Sequence, residues 1–191
     1  MKGKLWLMIH SGSRSMGQSI TAYHLASASG QRTGKLIGFD CNEPAGQAYL
    51  NDMQWARKYA ELNRLAMMNA TLEMVLLNWG LESNLQSLIH TDHNHVAREI
   101  HFGNQWMVHR KGAQRLEVDQ GGIVPGSMGT CSFLVAGRGC AESLSSCSHG
   151  AGRILSRTQA RHRLSTKRFV SQMKHVWFDQ KNANRLRDEA P

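Results

Sequence analysis

Three histidines in this chain stand in settings that suit phosphate chemistry. His10 is followed by Ser11-Gly12-Ser13-Arg14, His93 lies in the run DHNHV, and His149 lies in SCSHGAGR. Neutral imidazole is a competent nucleophile and metal ligand near pH 7, because its unperturbed pKa is about 6.5. The small residues around His149 leave its ring unshielded and let the backbone approach a phosphate closely. Two segments offer main-chain N–H groups to an anion. PGSMGT at 125–130 can form a nest, and HGAGR can do the same at the start of the helix predicted to follow it, where the dipole favours negative charge. Arg153 and Arg157 are one helical turn apart and can face the same phosphate. Arg14 and Lys111 add further cations. Neither loop fits GxxxxGK[ST] or GxGxxG, so neither standard nucleotide fold is supported. Taken singly, each signal also has a structural reading: a glycine-rich turn, or a solvated arginine face. His90, His95, His101, His109, His162 and His175 are read that way, as hydrogen-bonded structural residues.

The elements that must position these groups follow from periodicity and punctuation. LWLMI at 5–9 reads as a buried strand ending at His10, with a short helix over 16–29 and a glycine-containing loop over 30–46 that includes Pro44. From Tyr49 to Trp79 the pattern is helical: Leu50, Met53, Ala56, Tyr59, Ala60 and Leu65 fall near the i, i+3, i+4, i+7 series. Asn51 is a candidate N-cap, and Gly80 stands where a C-cap would end the helix. Met67, Met68 and Met74 form a stripe read as core. Residues 106–111 resemble a strand entering a turn at Gly112, residues 121–130 are glycine-punctuated, and 131–136 return to strand composition. From His149 onward the chain is basic and predicted helical, with Arg153, Arg157, Arg161, Arg163, Lys167 and Arg168. The tail from about 179, QKNANRLRDEAP, has little apolar content and is expected to fray. No internal repeat or linker is visible, so residues 1–191 are read as one domain.

The bulk properties agree with a soluble, anion-binding chain. Its 191 residues are enough for one real core, since such lengths bury roughly 70% of the unfolded surface. The net charge of +9, from 23 Lys and Arg against 14 Asp and Glu, favours a polyanionic partner, with nucleic acid leading. No run approaches the roughly 18 apolar residues needed to span a bilayer. The opening MKGKLWLMIH lacks a usable signal sequence, so a cytoplasmic location is expected and no membrane partner. None of the 4 cysteines forms a CxxC pair. A structural zinc site is therefore disfavoured, and reduced thiols are the default.

The joint order of the motifs carries more than any one of them. HSGSR, a long helix with YLNDMQWARKYAELNR, then DHNHV, VHRKGA, PGSMGTCSF and SHGAGR closely resembles the RtcB family of RNA ligases, from His10 to about Arg157. The wording around His93 and the shortened regions resemble a divergent branch associated with release-factor-H-like partners. The resemblance implies an α+β fold in which central strands line an active-site cleft beside a long flanking helix. It also implies an activity. RNA ending in a 2′,3′-cyclic phosphate or 3′-phosphate is joined to RNA with a 5′-hydroxyl, using GTP and Mn²⁺ through a guanylyl-histidine, in tRNA splicing or RNA repair. By the resemblance His149 is the attacking histidine, and His10 and His93 are metal ligands. Asn94 contacts the nucleotide beside His93. Pro125, Gly126, Ser127, Met128, Ser132, His149, Gly150, Ala151 and Gly152 match GMP-binding positions. Arg14, Lys111, Arg153 and Arg157 would hold RNA or product phosphates.

The family pattern also has members that are missing here. An Asp and a Cys that bind metal, and an Asn-His pair in a GNHF-like segment, precede HSGSR in the family, and a lysine near the extreme C-terminus touches guanine. None has a counterpart in this sequence. The expectation is a chain truncated at its N-terminus, whose two-metal site is incomplete. Two readings follow: part of a working ligase completed by a separate N-terminal fragment, or a silent remnant that at most binds RNA.

Overall fold

A computed structural model describes residues 3–28, 32–33 and 36–190. The contacts divide the chain into two compact units, Met1–Leu88 with His95–Ala97, and Ile89–Asn94 with Arg98–Pro191. The first unit is built on helix α1 (Ser15–Ser27) packed against helix α2 (Pro44–Trp79). Between them lies a minimal antiparallel pair, β1 (Arg32–Thr33) and β2 (Leu36–Ile37). The predicted helix over 16–29 corresponds to α1, although its last residue lies outside the described residues, as do 30, 31, 34 and 35 of the predicted loop. Helix α2 starts earlier than its apolar periodicity suggests. Pro44, read as a loop residue, occupies the first turn, where its missing N–H costs nothing and its fixed φ suits the helix. Asn51 is therefore inside the helix rather than at its cap. Gly80 ends it as expected, in the left-handed conformation (φ 63°), with its N–H on the Leu76 carbonyl.

Two expectations for this unit fail for the same reason. LWLMI is not a strand: residues 4–10 belong to no ladder, and Leu5, Trp6, Leu7 and Met8 are all exposed. An apolar run becomes a strand only where a neighbour offers backbone partners and a surface to bury against, and no described residue does so. The methionine stripe is likewise not core, since Met67 and Met74 are exposed and Met68 is half-buried. Helix α2 instead buries the small residues Gly46, Ala56 and Ala60. One polar contact pins the helix pair: buried His24 donates from Nε2 to Asp52 Oδ2 at 2.8 Å, with its ring edge-on to Tyr49. No helix among the described residues is long and apolar enough to cross a membrane.

The strands appear in pairs, and the fold is mixed α+β. Strand β3 (Asn94–His101) pairs with β4 (Asn104–Lys111), which matches the strand predicted over 106–111. Strand β5 (Ala113–Arg115) pairs antiparallel with β8 (Ser146–Ser148), placing Gln114 opposite Cys147. Strand β6 (Gly121–Val124) pairs antiparallel with β7 (Phe133–Ala136), the latter within the predicted 131–136. Two-stranded ribbons are marginal alone, and side chains stitch them together. Gln114, 1% exposed, donates to the carbonyls of Ile123 at 2.7 Å and Ser148 at 3.0 Å. It accepts from Ile123 N–H, so one amide joins β5, β6 and β8.

A buried charge cluster does the same for β3 and β4. Arg110 of β4 makes two bonds to Glu99 of β3, at 2.5 and 3.0 Å. Its other donors reach Ser146 Oγ at 2.9 Å and the Leu144 carbonyl at 2.7 Å. His101 also donates to Glu99 at 2.8 Å.

The region after His149 departs from the predicted continuous helix. Residues 150–156 are not helical. Ser156 starts helix α3 (Arg157–Arg163) through a capping box with Gln159, so HGAGR does not open a helix. Ser165 caps helix α4 (Thr166–Gln172) by accepting the Arg168 N–H on its side chain. The tail is folded rather than frayed. It forms a 3₁₀ turn (Gln180–Asn182), the short helix α5 (Ala183–Leu186) and a second 3₁₀ turn (Arg187–Glu189). Its few apolar residues are well placed. Ala183 and Ala190 join Ala160, Leu164, Phe169 and Met173 in one buried cluster, against which Leu186 also packs. Composition predicted fraying because it counts apolar residues and ignores where they point.

Two stability predictions follow from these contacts. Burial alone would push the Glu99 carboxyl up, but hydrogen bonds from Arg110 and His101 and the charges of Arg110 and Arg115 outweigh it and hold the group at about 2, below its ordinary 4.5. A depressed pKa contributes stability that is fully present above the unfolded value and is lost as pH falls through the folded one. Urea midpoints should therefore fall between about pH 5 and pH 2, with Glu99 contributing on the order of 3 kcal/mol, and Glu99→Gln should flatten that part of the profile. Phe169, with none of its surface exposed, anchors the C-terminal cluster. Phe169→Ala is expected to cost about 3–5 kcal/mol in denaturant unfolding.

Candidate functional site

His93 and His149 come together because the start of β3 and the end of β8 both meet the chain at Gly112, between β4 and β5. His93 ends the segment leading into β3, and Gly112 separates β4 from β5. The Gly112 N–H donates to the His93 carbonyl at 2.7 Å and to Asn94 Oδ1 at 3.2 Å. Strand β8 lies against β5 and delivers His149 at its end, where the His149 N–H reaches the Gly112 carbonyl at 3.4 Å. The two imidazoles then sit with ring centroids 4.3 Å apart and planes 38° from each other. Both rings are half-buried, and His93 Nδ1 is shut off from solvent.

The orientation of His149 fixes its chemistry. Nδ1 lies 2.6 Å from the Gly112 carbonyl oxygen. A carbonyl can only accept, so Nδ1 carries the proton and the lone pair of the neutral ring is on Nε2. That leaves one nitrogen committed to the scaffold and the other available as nucleophile. The arrangement requires glycine at 112. Its φ is +73°, and a Cβ there would meet His149 Cε1 at 3.1 Å and Nδ1 at 3.2 Å.

The two predicted anion loops, 125–130 and the segment that begins at His149, are tied to one another. Ala151 N–H donates to the Pro125 carbonyl at 3.0 Å. Within 125–130, Gly126 N–H donates to Ser132 Oγ at 3.3 Å, and Thr130 N–H to the Ser127 carbonyl at 3.1 Å. Met128 N–H reaches the Glu189 carbonyl at 3.1 Å. In the other loop, Ser148 Oγ donates to the Gly150 carbonyl at 2.6 Å, and Gly152 follows in the left-handed region. Several N–H groups of the expected nest thus have partners within the protein.

The basic residues fall in different settings. Lys111 is exposed at the end of β4, immediately before Gly112. Arg153 and Arg157 share one anion, the Glu189 carboxylate, although Arg153 lies in the non-helical segment before α3 and not one helical turn from Arg157. Arg153 Nη1 reaches Glu189 Oε2 at 3.3 Å, and Arg157 pairs with Glu189 Oε1. Arg161 joins at Asp188, 2.8 Å away.

In the other unit, the segment after His10 is held by α2. Asn63 donates to Ser11 Oγ at 3.1 Å, and Arg64 to the Ser11 carbonyl at 3.0 Å. Arg14, just ahead of α1, is exposed and has a positive φ of 58°.

The resemblance implies metal ligands at His10, in one unit, and His93, in the other. Among the described residues no group of three or more His, Cys, Asp or Glu is placed to hold a metal ion. Two imidazoles fall short of the octahedral set that Mn²⁺ prefers.

Three contributors were not legible as site residues. Gly112 was visible only as a turn, although its position directly after VHRK was the available signal. Gln114 and Glu189 gave no signal, because one looks like any strand residue and the other lies in a polar tail.

Comparison with known proteins is consistent along the chain. A family model described as tRNA-splicing ligase RtcB matches residues 1–191. RNA-splicing ligase RtcB1 from a strain of Escherichia coli is 38% identical over 186 residues, which cover 91% of this chain and 46% of that protein. RNA-splicing ligase RtcB of Escherichia coli K12 shows the same identity and coverage. RNA-splicing ligase RtcB homolog 2 of Entamoeba dispar is 31% identical over 199 residues, covering 90% of this chain and 38% of that protein. The chain therefore spans about half or less of the length of these relatives. With the family model matched over residues 1–191, this chain belongs to the RtcB family.

Proposed function

We propose that this chain carries the nucleotidyl-transfer centre of an RNA ligase that joins 2′,3′-cyclic phosphate or 3′-phosphate ends to 5′-hydroxyl ends. The observation that carries the proposal is the hydrogen bond from His149 Nδ1 to the Gly112 carbonyl, which leaves Nε2 as the reactive nitrogen. The Nε2 lone pair forms a bond to the α-phosphorus of GTP while the bond to pyrophosphate breaks, giving guanylyl-histidine. Where the end is a 2′,3′-cyclic phosphate, water adds to its phosphorus as the bond to O2′ breaks, giving the 3′-phosphate. An oxygen of the 3′-phosphate then attacks the guanylyl phosphorus and the N–P bond breaks. Finally the 5′-hydroxyl attacks the activated 3′-phosphate and GMP leaves. Phosphoryl transfer of this kind depends mainly on positioning and charge neutralisation.

In this reading His93 and Asn94 flank the nucleophile, and residues 125–128, Ser132 and 149–152 line the GMP site. Arg14, Lys111, Arg153 and Arg157 are the basic groups offered to RNA or product phosphates. Mn²⁺ enters as the cation of the reaction. His10 and His93 are this chain's imidazole contributions, and the remaining ligands come from a complementary N-terminal portion. The substrates belong to tRNA splicing or RNA repair, in the cytoplasm. The competing reading, a silent remnant that binds RNA through its +9 surface, draws on the lack of an assembled metal cluster among the described residues.

Labelling decides between them. Incubated with Mn²⁺ and GTP labelled at its α-phosphate, the chain supplemented with the N-terminal portion of a relative is expected to take up a covalent label. Alone it should label weakly, and His149→Ala should abolish the signal. Folded protein that takes no label even when supplemented would support the remnant instead. Gly112→Ala should reduce labelling at least tenfold, since a 1 Å displacement of a reacting group can cost on the order of 100-fold. The same variant should keep its helical circular dichroism. Undiminished labelling of Gly112→Ala would remove the proposed role of the Gly112 carbonyl.

A further inference from the structure

We infer that Glu189 is a positioning residue for the guanylyl-transfer site, fixing from the C-terminal segment both loops that flank His149. The inference rests on the function proposed above for those loops. The Glu189 carbonyl accepts Met128 N–H at 3.1 Å and so fixes the 125–130 loop. Its carboxylate holds Arg153 at 3.3 Å and also pairs with Arg157. Arg153 follows directly on the His149–Gly152 segment. Its remaining contacts go to the Asp188 and Leu155 carbonyls, so its guanidinium clamps the second loop to the tail. The Ala151 to Pro125 bond then joins the two loops directly. Loop, loop and tail form a closed ring with Glu189 in two of its three joints.

Neither loop has regular secondary structure. Their conformations therefore depend on such external bonds, and segments of this kind open at low free-energy cost when a tie is removed. Glu189 can act as a fixed point because the residues around it are buried. Asp188 is 4% exposed and Ala190 9%, and Ala190 belongs to the Phe169–Met173 cluster. A carboxylate on a free tail would lose most of its pairing energy to the entropy of ordering two long side chains. Here the hydrophobic cluster has already ordered the backbone.

The test uses two variants of the full chain. Glu189→Gln keeps the main-chain bond and the side-chain size but removes the charge. Amide hydrogen exchange in the 125–130 and 149–153 loops is expected to accelerate roughly fivefold, with amides of β4 and β5 unchanged as a control on the fold. Glu189→Asp, which retains the charge on a shorter stem, should recover part of that protection. In titrations with a fluorescent GTP analogue, Glu189→Gln should need roughly fivefold more nucleotide for half-saturation. Unchanged exchange in both loops would overturn the inference, as would acceleration spread equally over β4 and β5. A nucleotide titration identical in variant and wild type would overturn it too. If the wild-type protein binds no nucleotide, the proposed function fails, and the exchange comparison still decides whether Glu189 fixes the loops.

Discussion

The buried pair of Glu99 and Arg110 is the constraint from which the geometry around His149 follows. A guanidinium with its side chain 1% exposed must satisfy its donors within the protein, because an unpaired buried charge costs several kcal/mol. Arg110 does so in two directions, to Glu99 on the neighbouring strand and to Leu144 and Ser146 across the turn before β8. The second set places the start of β8 beside the end of β4. Gly112 lies just past one of these anchors and His149 just past the other, so their meeting is a consequence of where Arg110 finds its partners. Replacing such a pair with apolar residues can be neutral for stability. It would nevertheless lose the directional bonds that set this register.

A second layer of constraint is neutral and acts through amides. Gln114 joins three strands by donating to two carbonyls and accepting one N–H. This holds together ribbons that are too narrow to be stable separately. The same logic extends to the loops, where main-chain bonds to Pro125 and Glu189 substitute for a ladder. The site is therefore supported by many moderate hydrogen bonds around one buried ion pair. Its large apolar cluster lies farther along the chain, in the helices after residue 156.

Charge is distributed in a way that net charge alone does not reveal. Of the basic residues following His149, Arg153, Arg157 and Arg161 are already engaged by Asp188 and Glu189. Lys111 and Arg14 remain exposed on the chain. A pI near 9.8 favours an anionic partner, but the arginines closest in sequence to His149 have internal carboxylates as partners.

The sequence by itself determined the family, the α+β class and the elements with strong local signals. Helix α2 was legible because apolar spacing and a terminal glycine are local properties, and β4 because a strand entering a glycine turn is one too. The tertiary structure alone decided the rest. Leu5 to Met8 read as a strand because they are apolar, yet strand formation depends on a partner that composition does not specify. The tail read as frayed because it is polar, yet two alanines and a leucine reaching one cluster are enough to order it when carboxylates meet arginines alongside. Gly112 looked like an ordinary turn because its role is exerted through a carbonyl, and every residue has one. Local propensity is written residue by residue, whereas the partner of a hydrogen bond or a charge is set by distant segments, and only folding brings those together.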